Sequence, residues 1–293
     1  MLYYFVLWFQ KFILLLPPKA RVAIFNFVTF CVHLLLEKKN KVIRKNLEIV
    51  YGKSIDKKTK RKIQRDCYKY AGLNILTMLE AGSYDKEEFK KRVEIKNRDY
   101  IDKLLNQKKP IIIITAHYGN IEVLGYIVGT YITNVVQVQR KLDNHPKLSN
   151  LMQKQRESYG LEIIERSGAV RHLLRALKQN KVISLVVDQH VNPDVGSKIK
   201  FLGQDAYQTN TPAFLARKFD AAILPVFMRY KDDFNYEVEF LEPFYVKKSD
   251  DEAKDIFEAT QKQADIISQK ILQEPNLWFW CHKRFKSVGY EYD

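Results

Sequence analysis

The chain has 293 residues, 46% of them hydrophobic, with 49 Lys and Arg against 34 Asp and Glu for a net charge of +15. That length suits one large domain, or a domain with an appendage, and it can fill a sizeable core. The charge points to acidic partners. No helix-turn-helix, zinc-finger or RNA-recognition signature accompanies it, so nucleic acid is not read as a partner. Cysteines 31, 67 and 281 are odd in number and far apart in sequence. They form neither a disulfide framework nor a zinc spacing and fit a reducing compartment.

The N-terminus is apolar in two runs, Leu2–Phe9 with Phe12–Leu16 and then Val22–Leu36, separated by Pro17-Pro18. Neither run offers the roughly 20 apolar residues of a spanning helix, and the first lacks the features of a cleaved signal. The pair reads as an uncleaved anchor over residues 1–40, either interfacial helices or one imperfect span. Residues 1–65 carry 15 Lys/Arg and 3 Asp/Glu, a local net charge of +12. An apolar segment beside a basic one suits an anionic membrane surface.

From about 40 to 105 the pattern is helical and charged, and Lys57–Thr77 shows one apolar face at spacings of three and four. After residue 110 short strands alternate with helices. Strands are expected at Ile111–Thr115, Val135–Val138, Leu161–Ile164, Val182–Val187, Ala222–Tyr230 and Tyr236–Leu241, the last as an antiparallel edge. Helices are expected at Ile121–Thr130, Lys147–Tyr159, Ala169–Lys178, Thr211–Phe219 and Asp250–Gln273. The predicted fold class is α/β, a mostly parallel sheet flanked by helices, forming one catalytic domain over 41–293.

In such a sheet, ligands bind beyond the carboxyl ends of the strands. His117 lies two residues past Ile111–Thr115, in IIIITAHYGNIE. Asn120 is a good N-cap for the next helix and a candidate to bind substrate, and Glu122 falls in that helix's first turn. On a single helix these positions would point apart, but the Tyr118-Gly119-Asn120 turn can bring His117 back toward the carboxylate. A His oriented by an acid is a general base able to deprotonate an attacking hydroxyl. No metal site is expected, because no H-E-x-x-H occurs and no further ligand lies at a suitable spacing. No cofactor is called for.

Four segments taken together, AHYGNIE, VVDQH, FLGQDAYQTNTPAFLARKFDAAILPVFMRY and EPNLWFWCHKRFK, give the chain its affiliation. It resembles the lipid A late acyltransferases, the lauroyl and myristoyl transferases of lipopolysaccharide synthesis, over nearly its whole length. The resemblance implies an acyl-carrier-protein thioester as donor and a hydroxyacyl chain of a Kdo-bearing lipid A precursor as acceptor. It also implies a place on the cytoplasmic face of the inner membrane. Carried over by motif, His117 and Glu122 are the catalytic pair, and Arg156 and Asp188 match functional positions.

The residues themselves add readings. Asp188 ends a second buried strand and opens on the same rim as His117, where it holds Arg156 or an acceptor hydroxyl. Arg156 offers a fork for a phosphate or carboxylate. Arg166 precedes a helix start and is a weaker anion candidate. The run Trp278-Phe279-Trp280 before His282-Lys283-Arg284 suits a membrane interface or a packed C-terminal segment. Two other functions compete: acylation of a different membrane lipid, and non-catalytic binding of anionic lipid. Glycerolipid acylation is disfavoured by H-x4-E in place of H-x4-D.

Overall fold

A computed structural model describes residues 2–80, 83, 86–132 and 134–292. The first helices are α1 (Leu2–Leu14), α2 (Pro18–Leu35), α3 (Glu37–Tyr51) and α4 (Lys57–Glu80). A short α5 (Lys86–Lys90), the strand β1 (Val93–Lys96) and α6 (Asp99–Asn106) follow. Then come β2 (Ile111–Thr115), α7 (Ile121–Tyr131), β3 (Val135–Gln139), α8 (Pro146–Glu157), β4 (Leu161–Glu165), α9 (Ala169–Lys178) and β5 (Val182–Val186). A hairpin of β6 (Gly196–Phe201) and β7 (Gln204–Thr209) precedes α10 (Thr211–Phe219), β8 (Ala222–Tyr230), β9 (Tyr236–Phe240) and α11 (Glu252–Gln273).

Seven strands form one sheet in the order β1-β9-β8-β2-β5-β3-β4. Every neighbouring pair is parallel except β8 with β9. The α/β class therefore holds. Strand β2 lies in the middle and is buried at all five positions. Its alternate residues serve two cores. Ile112 and Ile114 join the side covered by α9, α10 and α11, through residues such as Leu173, Leu215 and Ile267. Ile111 and Ile113 join the side covered by α6 and α7, through Leu104, Val123 and Ile127. A strand buried on both faces reads as a continuous apolar run, which is why IIII lacks an alternation.

Two expectations need correction. Residues 93–96 form a strand inside the stretch read as helical, since four residues, Val-Glu-Ile-Lys, are too short to stand out against charged neighbours. Their presence moves β9 off the edge: it is antiparallel to β8 as expected, but β1 pairs with its outer side.

The N-terminal pair folds as a helical hairpin on α4. Ile13, Val22 and Phe25 pack with Leu73, Leu76 and Leu79. Arg21 closes the turn at the prolines, donating to Leu14 O and Leu16 O and pairing with Glu80 at 2.9 Å. The opposite face stays bare, with Phe5, Trp8, Leu15, Phe27 and Leu34 exposed. Helix α2 is long and apolar enough to cross a membrane, and only 11% of that window is buried.

Candidate active site

The register of the sheet brings the site together. Strands β2 and β5 are neighbours, and Thr115 pairs with Val186. His117 and Asp188 each lie two residues beyond that pair, so they leave the sheet side by side at its C-terminal rim. His117 Nδ1 donates to Asp188 Oδ1 at 2.8 Å. The other carboxylate oxygen, Oδ2, accepts from Trp278 Nε1 at 2.7 Å. Asp188 is 2% exposed and fully engaged, while the His117 side chain keeps 27% of its surface open.

The carboxylate bonded to His117 is thus Asp188, where the sequence pointed to Glu122. Glu122 instead forms a two-pronged ion pair with Arg156, Nε to Oε2 at 3.1 Å and Nη2 to Oε1 at 2.5 Å. Arg156 Nη1 also donates to Gln139 Oε1 at 2.6 Å. The reason lies in the order of strands: β5, next to β2, supplies the residue beside His117, while Glu122 at the start of α7 meets Arg156 of α8. Asp188 and Arg156, considered as partners from sequence, belong to separate networks. Glu122 still shares the cavity with His117.

Asn120 caps α7 through Oδ1, which accepts from the Glu122 and Val123 N–H groups at 3.1 Å. Its Nδ2 donates to Thr77 Oγ1 at 2.7 Å, and the residue is 0% exposed. Asn120, expected to bind substrate, has no surface for one to meet. It locks the His loop and the start of α7 onto α4. Arg166 is exposed just past the end of the edge strand β4, and its backbone N–H donates to Gln139 O at 3.0 Å. It lines a shallow depression with Arg171 and His172, away from the cavity that holds His117.

Gly119 has φ +62°, and a Cβ placed there would lie 2.1 Å from Met228 O. Its N–H donates to Leu277 O at 2.9 Å. Gly119→Ala is expected to destabilise the protein by more than about 3 kcal/mol, since a left-handed backbone and a clash with main chain add together. Urea unfolding checks this, and a loss below about 1 kcal/mol would contradict it.

The C-terminal segment completes the wall. Phe279 N–H donates to His117 O at 2.9 Å, and Tyr118 bridges Trp278. Trp278, Trp280, Arg284 and Phe285 are at most 1% exposed. The aromatic-basic run is therefore packed core rather than a membrane belt. Asn46 of α3 fastens it by donating to Trp280 O and His282 O, both at 2.8 Å. Cys67 and Cys281, far apart in sequence, meet here as free thiols with Sγ atoms 3.6 Å apart.

His117 opens into a cavity of about 380 Å³ between α4, the start of α7 and the C-terminal segment. Tyr70, Ile75, Met78, Ile121, Met152 and Phe279 make its walls mainly apolar, and His117 and Glu122 add an imidazole and a carboxylate. Burial lowers the basicity of His117, but the Asp188 charge and hydrogen bond outweigh it and leave the pKa raised above 6.5. Burial alone would raise Asp188. The facing His117, then Trp278, instead hold its carboxyl down at about 2. Nearby His282 is pushed down to about 4 by burial and by Arg284 and the neighbouring histidines, against the opposing pull of Asp188, and its Nε2 accepts from the His190 N–H at 3.0 Å.

A neutral imidazole whose Nδ1 proton is committed to a buried carboxylate presents an unprotonated Nε2. Placed at the rim of a parallel sheet beside an apolar cavity, this arrangement can activate a hydroxyl or water against an apolar substrate. The sequence comparisons narrow that chemistry: the chain belongs to the bacterial lipid A biosynthesis acyltransferase family, which it matches over residues 1–287. It is 21% identical over 253 residues to the lipid A biosynthesis palmitoleoyltransferase of Escherichia coli (strain K12), covering 86% of this chain and 80% of that one. It is 22% identical over 254 residues to the lipid A biosynthesis acyltransferase of Haemophilus influenzae, covering 86% and 78%. The protein is accordingly an acyltransferase of lipid A biosynthesis.

Proposed function

We propose that the protein transfers a fatty acyl chain from an acyl-carrier-protein thioester to a hydroxyacyl chain of a Kdo-bearing lipid A precursor. The observation that carries this reading is His117, held by Asp188 at Nδ1 and opening on an apolar cavity. His117 Nε2 takes the proton of the acceptor hydroxyl as its oxygen attacks the thioester carbonyl. The new C–O bond forms, the C–S bond breaks, and the departing thiolate takes the proton from Nε2–H. Glu122, fixed by Arg156, forms the polar end of the cavity, where the acceptor's hydroxyl is oriented. Asp188 takes the part of the orienting acid.

Residues 1–40 act as the membrane element and 41–293 as the catalytic domain. The bare apolar face of α1 and α2 supports insertion into the inner membrane, and the basic segment after it supports contact with anionic head groups on the cytoplasmic face. The same positive charge suits an acidic carrier protein, so donor binding is expected to weaken with salt.

The test is transfer from radiolabelled acyl-carrier-protein thioesters of varied chain length to the precursor, using purified protein in detergent. Labelled acceptor should appear with no label retained on the protein. Label that stays on the protein and chases into product would refute direct transfer and turn attention to Cys67 and Cys281. Folded protein that is inactive with every donor on this acceptor would instead favour another membrane lipid.

A further inference from the structure

We propose that Gln189 is a further catalytic residue, whose side-chain amide caps His117 Nε2 in the resting enzyme and then donates to the oxyanion formed at the thioester carbonyl. The inference rests on the function proposed above and adds the group that stabilises the negative charge.

Gln189 Nε2 lies 3.3 Å from His117 Nε2. Because His117 Nδ1 donates to Asp188, its Nε2 must be the acceptor in this contact, so the amide donates. An imidazole nitrogen has one lone pair. An acceptor hydroxyl that uses His117 as its base must displace the amide from it. The displaced amide is then next to the attacking oxygen, and the carbonyl oxygen that gains charge is attached to the carbon under attack.

Main-chain donors around the cavity are already engaged. The Gly119 N–H goes to Leu277 O, Asn120 N–H to Met228 Sδ, Ile121 N–H to Asn74 Oδ1 and Phe279 N–H to His117 O. Arg156 gives three of its five N–H groups to Glu122 and Gln139 and does not line the His117 cavity. The amide of Gln189 carries two N–H groups, and the contact with His117 takes one of them. It follows Asp188 directly in the chain, so the same turn that orients the base also sets its partner.

The reaction balances without any added reagent. The hydroxyl proton moves to His117 Nε2, the carbonyl π pair moves onto oxygen, and that oxygen accepts a hydrogen bond from the Gln189 amide. Collapse restores the carbonyl, and the thiolate leaves with the proton from Nε2.

The experiment compares Gln189→Met, which keeps the side-chain length and has no N–H, and Gln189→Glu with the parent protein, using the acyl transfer assay and full pH profiles. His117→Gln serves as control. Loss of one oxyanion donor is expected to lower kcat about 10²-fold with both KM values held within roughly threefold. In Gln189→Glu, a second carboxylate joins Asp188 against the imidazole. His282 stays neutral and Glu122 stays tied to Arg156, so the acid limb should move up by about one pH unit. A purely structural role would leave that limb in place. Should Gln189→Met keep kcat within about threefold of the parent while His117→Gln is inactive, the Gln189 proposal fails and the base assignment survives. An active His117→Gln would bring down both. An unmoved acid limb in folded Gln189→Glu would also overturn the role of Gln189.

Discussion

Replacing His117 with Ala or Gln is expected to lower acyl transfer about 10²- to 10⁴-fold, the range supplied by a positioned general base. The two variants separate chemistry from stability. His117→Ala takes the imidazole away from the buried Asp188, which costs roughly 1–3 kcal/mol for the lost side-chain partner. His117→Gln can still donate to Asp188 and should keep most of that stability while remaining inactive. The parent pH profile carries a second expectation. Asp188 raises the His117 pKa above 6.5, so the acid limb of kcat/KM should fall above that value. Activity is gained as His117 loses its proton and is absent where the imidazolium dominates. A His117→Gln protein with parental activity, or a flat parental profile from about pH 5 to 8, would remove His117 from the role of base.

How much of this the sequence discloses depends on the range of the interactions. Strand β2 and helix α7 are local features, and their apolar runs and the Asn120 cap are visible in sequence. So is the placement of His117 and Asp188 two residues past buried strands. Their contact is not, because it requires knowing that β5 lies beside β2 and that Thr115 pairs with Val186. Glu122 is nearer to His117 in sequence, yet the helix it begins carries it to Arg156. Short strands among charged residues, as in β1 and the β6–β7 hairpin, give too weak a periodicity to be seen. Trp278 carries no sign of its bond to Asp188, since a tryptophan at the end of a chain packs equally well in a core or against a bilayer. The Gln189 contact is hidden for the same reason as that of Asp188.

Asp188→Asn should be nearly as damaging as loss of His117, with a fall in kcat of about 10³- to 10⁴-fold. The carboxylate accepts two N–H donors, His117 Nδ1 on one oxygen and Trp278 Nε1 on the other. An amide has only one oxygen, so its NH₂ must face one of them. Indole nitrogen can only donate, whereas imidazole can change tautomer. The NH₂ should therefore face His117, the imidazole proton should move to Nε2, and the base should be lost with the site intact. Urea unfolding and kcat together test this. Asp188→Asn within tenfold of parental kcat would refute the tautomer argument.

The two shifts also act oppositely on stability. Asp188 is depressed from 3.8 to about 2, so its contribution, roughly 2 kcal/mol, is present above pH 4 or so and lost as pH falls through the folded value. His117 is raised, so its charge stabilises the fold below 6.5 and that part is lost as pH rises through its folded value. The charged pair thus favours the fold most in mildly acidic solution, while catalysis requires the imidazole to be neutral. Asp188→Asn should flatten both sides of the stability profile as it removes the activity. Unchanged pH dependence of unfolding in that variant would show that the pair does not set it.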